Sequence, residues 1–179
     1  PSAECRRLRR CDTMARELLG PRASTVFSVP AREAVWAPSY AEACRRNQQI
    51  LGRELSKQSW GICPKIREAD AVFRIAPALQ NSIRETHPEL CFRLLNGRRA
   101  IENPKKSPAG RKIRRELLRS ETANLDAAMK LAGRVAADDV LDAVAAAVVA
   151  RLAAEKKVSI VPLARECDAC GLAMEIVGV

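Results

Sequence analysis

The chain has 179 residues, 47% of them hydrophobic and 29% charged, which is the composition of one globular domain with a core of its own. No run of about 18 apolar residues occurs, and PSAECRRLRRC lacks the apolar segment of a secretion signal, so neither a bilayer span nor a signal peptide is read here. The net charge of +10 points to an anionic partner, and seven scattered cysteines, an odd number, suit a reducing cytoplasm better than a disulfide scaffold.

In chain order, residues 3–19 read as a basic amphipathic helix, with Cys5, Leu8, Cys11, Ala15, Leu18 and Leu19 on one side and Gly20-Pro21 as its stop. Pro30 opens a short helix through Trp36. Ser39 starts another as the first residue of a capping box with Glu42, running to about Gly52. Ser56 begins a third, to about Ile75, which Pro64 is expected to kink or split. Trp60, Ile62 and Ile66 are read as core. Lys57, Gln58, Lys65 and Arg67 are alternatives for a substrate channel.

Residues 83–88 are expected to form a strand, so that Glu85, His87 and Glu89 recur at every second position and share one face or its continuation. A helical turn then runs over 89–95 and ends at Asn96-Gly97. His87 is the one histidine: it is either a hydrogen-bonding group at a strand end or a proton carrier beside a ligand. From Arg98 to Arg119 nine basic residues meet two acids, Glu102 and Glu116, giving +7 of the total charge. Lys105 and Lys106 precede a helix capped by Ser107-Pro108. Arg111, Arg114 and Arg115 continue the positive stripe while Ile113, Leu117 and Leu118 face inward. Such a stripe suits a nucleic-acid backbone through phosphate contacts; the alternative is a solvated charged face. Six aromatic residues in the whole chain argue against a platform for stacked bases.

Residues 121–132 read as a short helix, and Gly133 turns the chain into the most distinctive stretch, 136–157. This is a long helix with Asp138, Asp139 and Asp142 at its start and almost no charge afterwards. Leu141, Val144, Ala145, Val148 and Leu152 make one stripe. Ala143, Ala146, Ala147 and Ala150 cover much of the opposite side, the pattern of a helix packed all round. The acids complement the positive end of the helix dipole, with Asp138 a candidate N-cap. Asp142 lies on the core-facing edge, where a carboxylate must be paired, hydrogen-bonded or bound to metal. Acids at a strand end facing acids at a helix start offer oxygen ligands to magnesium or manganese. Residues 158–161 and 172–177 are the last strand candidates. Between them, Cys167-Asp168-Ala169-Cys170 offers two ligands where a structural zinc takes four, so chance spacing, zinc and a redox pair all stay open.

The blocks RRCDTMARELLGPRASTVF, LSKQSWGICPKIREAD, IRETHPELCFRLLNG, KKSPAGRKIRR, ADDVLDAVAAAVVARL and GLAMEIV, in this order, resemble the family known as domain of unknown function 429, described as predicted ribonuclease H-like nucleases. The resemblance covers nearly the whole chain. It implies an α/β ribonuclease H-like fold lacking its first strands and so rich in helix, as one partial domain over 1–179 with 30–80 a helical insertion. Family members carry two further aspartates upstream of RRCD, so the chain reads as N-terminally truncated and inactive alone. The implied activity is metal-dependent hydrolysis of phosphodiesters. Glu89, Asp139 and Asp142 would be the magnesium or manganese ligands, Asp138 and Glu85 the alternates, and Lys105, Lys106, Arg111, Arg114 and Arg115 the contacts to nucleic acid. A non-catalytic basic protein binding nucleic acid or a protein partner is the competing class.

Overall fold

The computed structural model describes residues 8–179. Eight α-helices and one two-stranded ribbon are found among them: α1 (Arg10–Leu19), α2 (Arg32–Val35), α3 (Tyr40–Leu51), α4 (Lys57–Ile75), α5 (Pro88–Leu95), α6 (Pro108–Glu121), α7 (Leu125–Leu131), α8 (Ala137–Ala154), β1 (Ile160–Val161) and β2 (Ile176–Val177). Turns of 3-10 helix follow α1 and α4. The early part of the predicted first helix, with Cys5, lies outside the described residues. Backbone contacts divide the chain into two compact units.

The first unit comprises the described residues up to Thr13, with Val26–Arg84 and Ala164–Glu175. Its small core joins Ala31, Ala34, Ala37, Ala43 and Leu55, with Tyr40 and Trp60 against it. Caps explain the helix starts. Ser39 Oγ accepts from the Glu42 amide at 3.3 Å, Ser56 Oγ from the Ser59 amide at 3.0 Å, and Gly52 closes α3 at φ 70°. Pro64 does not split α4, which runs through it for 19 residues. The buried side of α4 is Ser59, Cys63 and Asp70, whereas Trp60, Ile62 and Ile66 are only partly covered. Of the proposed channel residues, Arg67 donates to the Val35 carbonyl at 2.7 Å and Lys65 pairs with Glu68.

The second unit comprises Met14–Thr25, Glu85–Leu163 and Ile176–Val179. Its core is built from α5, α6, α7 and α8, through Cys91, Phe92, Leu118, Leu125, Leu141, Ala145, Val148 and Val149. β1 and β2 pair antiparallel, Ile160 opposite Val177 and Val161 opposite Ile176. The strand expected over 83–88 is reduced to a single parallel bridge between Thr86 and Val177. Pro88 has no amide hydrogen to extend a ladder and instead occupies the first turn of α5, so Glu89 stands on a helix and not at a strand end. Sheet is confined to the two-residue ribbon and isolated bridges, and the described chain is helix-rich.

Helix α8 also corrects an expectation. Val140, Leu141, Ala145, Val148 and Val149 are buried, but Ala143, Ala147 and Ala150 face solvent. Alanine is the strongest helix former and needs no packing partner, so an alanine face is compatible with water. Its N-cap is Ala136, which places Asp138 and Asp139 in the first turn. No described helix is long and apolar enough to cross a membrane.

Candidate functional site

The candidate site lies in the second unit, where α5, α6 and α8 come together. Glu89, the second residue of α5, is 5% exposed and is carried inward with Leu90, Cys91 and Phe92. A carboxylate there needs a cation, and Arg114 of α6 supplies it. Arg114 is 1% exposed, and its Nη2 donates to Glu89 Oε1 at 2.9 Å and Oε2 at 2.7 Å. Its Nη1 donates to the carbonyls of Asn103 (3.2 Å) and Gly110 (3.0 Å), and the guanidinium lies 5.4 Å from the centre of the Phe92 ring. The sequence reading put Arg114 on the outer stripe, and that placement is wrong. Gly110, Arg114 and Leu118 recur every four residues and form the buried side of α6.

The acids of α8 separate by position. Asp138 and Asp142 are one turn apart and share Lys105, whose Nζ is 2.8 Å from Asp142 Oδ2 and 3.4 Å from Asp138 Oδ2. Burial pushes the Asp142 carboxyl up from its ordinary value; Lys105 opposes the shift, and the charges of Glu89 and Asp138 add to it. Its Oδ1 is buried with no hydrogen-bond partner among the described residues. At Asp138 burial acts upward, but an amide and Lys105 outweigh it and hold the carboxyl below the usual range. The two acids together hold the Lys105 ammonium above its ordinary value against its own desolvation. Asp139 is exposed, and Glu85 is exposed while its carbonyl accepts from the Val177 amide at 2.8 Å. Lys105 therefore joins Asp138 to Asp142, the charge of Glu89 acts on Asp142, and Asp139 and Glu85 are exposed.

Beside these carboxylates, Thr86 Oγ1 donates to the Val177 carbonyl at 2.7 Å and lies 3.2 Å from Cys91 Sγ. Burial raises the Cys91 thiol to about 11, so it is a protonated core group. His87 Nε2 donates to the Thr25 carbonyl at 3.2 Å, while Nδ1 is buried with no partner among the described residues. It is the N-terminal boundary residue of α5, and its side chain makes no cap.

A groove of about 510 Å³ runs along the outward side of α6. Arg111, Lys112, Arg115 and Arg119 line it, with Met129 and Leu141 among its apolar walls. Arg111 is exposed and outside every ion pair among the described residues. Arg115 and Arg119 lean on Asp126 of α7 at 3.6 and 3.1 Å, and Lys112 is 3.9 Å from Glu116. Sequence reasoning missed Lys112 and Arg119 as lining residues, although Arg119 follows Arg111 and Arg115 at four-residue steps and Lys112 precedes Arg115 by three, which was the available signal. Lys106 is exposed, and its charge acts on Asp138.

The magnesium or manganese that the resemblance implies does not fit the donors as they stand. Both oxygens of Glu89 are held by Arg114, and Lys105 already holds one oxygen of each aspartate. No group of three or more His, Cys, Asp or Glu suited to a metal ion occurs among the described residues.

These features define a helix-rich protein with a buried ion-pair cluster next to a basic groove. The family described as "Protein of unknown function (DUF429)" matches residues 4–166, and the chain belongs to that family. No curated protein and no solved structure matches it.

Proposed function

We propose that the chain binds nucleic acid through the outward side of α6, with Arg111, Lys112, Arg115 and Arg119 tracking the phosphate backbone. The observation that carries this reading is the basic groove itself: four cations at helical spacing line one side, with apolar walls behind them. Point charges at such spacing follow a repeating phosphate and discriminate little between bases, so affinity falls steeply with salt. The test is fluorescence anisotropy with single- and double-stranded DNA and RNA of matched length across a salt series. The reading predicts a linear fall of log affinity with log salt. The double variant Arg111→Gln, Lys112→Gln should lower that slope by about two if each cation neutralises one phosphate. A slope unchanged by the substitutions would place binding elsewhere.

The second reading is metal-dependent phosphodiester hydrolysis on a ribonuclease H-like fold, as the family resemblance implies. One observation favours it: Leu141, in the groove wall, is flanked on α8 by the cluster of Asp138 and Asp142, so acids stand next to the place proposed for the phosphates. Against it stand Lys105, which holds Asp138 and Asp142, and Arg114, which holds Glu89. Manganese titration followed by paramagnetic broadening separates the two readings. Saturable binding that Asp142→Asn weakens would favour hydrolysis, and absence of binding would leave the acids as ion-pair partners.

A further inference from the structure

Residues 166–174 of the first unit form a short hairpin that the function above does not use. The Met174 amide donates to the Glu166 carbonyl at 2.8 Å, Cys167 bridges Ala173, and the Asp168 amide donates to the Leu172 carbonyl at 2.9 Å. The loop closes through the Gly171 amide to the Asp168 carbonyl at 3.0 Å, with Gly171 at φ 77°, where a side chain would be strained. Cys167 and Cys170 are both free and exposed on this element.

Its backbone is fixed independently of the thiols. Asp168 Oδ1 accepts from the amides of Cys170 and Leu172, each at 2.9 Å. The other oxygen, Oδ2, pairs with Arg32 of α2, which also binds Asp70 of α4. Asp168 is therefore committed to holding the loop and is not a spare ligand. Two cysteines three residues apart on a braced turn match the spacing of one half of a tetrathiolate zinc site.

We propose that Cys167 and Cys170 are such a half-site, and that the same pair from a second copy of this chain completes it. The described residues offer no third ligand. Cys11, Cys63 and Cys91 are buried, and Cys44, partly buried, donates to the Leu55 carbonyl. Each thiol loses its proton on ligation, so four thiolates and one zinc ion carry a net charge of −2 and the protons leave to solvent. Arg165, exposed beside the hairpin, supplies positive charge near it. Soft thiolates select zinc over the hard ions considered above.

The experiment is zinc titration of the reduced full chain against a chromophoric chelator, with mass measured by light scattering. The expected result is one zinc per two chains, a dimer that appears only with zinc and dissociates with chelator, and loss of both in Cys167→Ser and in Cys170→Ser. Cobalt in place of zinc should give the visible bands of a tetrahedral thiolate centre. Both serine variants alter exposed positions, and an unchanged far-ultraviolet circular dichroism spectrum verifies that they fold. Absence of binding, one zinc per monomer, or a dimer that survives Cys170→Ser would each overturn the proposal. So would binding abolished by Cys5→Ser, which would assign a further ligand to the same chain.

Discussion

Arg114 holds both carboxylate oxygens of Glu89 from a single nitrogen, at 2.9 and 2.7 Å, and neither side chain is more than 5% exposed. Removing one member leaves the other charged, dry and unpaired. Breaking a buried pair in this way costs about 3–5 kcal/mol. Glu89→Gln should therefore lower stability by that order in urea unfolding at neutral pH. Replacing both members with apolar residues, Glu89→Leu with Arg114→Met, should cost far less, because no orphaned charge remains. A Glu89→Gln chain as stable as the parent would show that the pair is dispensable.

Lys105 predicts a titration. Burial raises the Asp142 carboxyl, and Lys105 is what opposes that rise. A carboxyl whose folded value exceeds its unfolded value favours the folded state at low pH, and this contribution is lost as pH climbs through the folded value. Lys105→Met should move Asp142 further up, so the loss of this contribution with rising pH shifts toward neutral pH. At the alkaline end, the parent keeps its Lys105 contribution below the ordinary lysine value and loses it as pH passes the raised one; the variant has none to lose. Carboxyl carbon NMR of Asp142 in both proteins checks this, and an unchanged or downward shift would refute it.

The contrast between Ala145 and Ala147 shows how much was readable in advance. Helix starts and stops were legible where local chemistry decides them, at Ser39, Ser56, Ser107 and Gly52, because a cap needs only neighbouring residues. The exposed side of α8 was not legible: alanine at Ala145 is buried and at Ala147 exposed, and the two are alike in hydropathy. The Glu89–Arg114 pair spans 25 residues and joins two helices, so no window on either one contains it. The cluster of Asp142 with Asp138 was half legible. Their spacing put them on one helix edge, whereas Lys105, their partner, was assigned to phosphate because its sign fitted a basic run equally well.

Asp126 restrains the groove. It sits 3.1 Å from Arg119 and 3.6 Å from Arg115, taking charge from two of the four lining cations. These contacts are exposed, and such pairs add little to stability, about 0–1 kcal/mol. Asp126→Asn should therefore leave unfolding nearly unchanged while tightening nucleic-acid binding at low salt and steepening its salt dependence. Weaker binding in this variant would mean that Asp126 positions the two arginines and does not compete with phosphate for them.

Gly110 sets the last expectation, because two general rules oppose one another there. Glycine inside a helix costs about 0.8–1.0 kcal/mol relative to alanine, so propensity alone makes Gly110→Ala stabilising. Space makes it the reverse. A Cβ at this position would lie 2.1 Å from the Pro104 carbonyl oxygen and 2.9 Å from its carbon. That carbonyl is backbone, and it is fixed by the Ser107 amide at 2.9 Å and the Ser107 hydroxyl at 2.8 Å. It cannot swing aside as a side-chain tip would, so α6 or the preceding loop must move. Overpacking of this kind costs about 1–3 kcal/mol, which exceeds the propensity gain over most of that range. The displaced loop includes Asn103, whose carbonyl receives Arg114, and leads directly into Lys105. Gly110→Ala should accordingly lower the melting temperature and also raise the Asp142 titration, the second effect absent from a change in helix propensity alone. A raised melting temperature would mean that α6 does not approach the Pro104 backbone this closely.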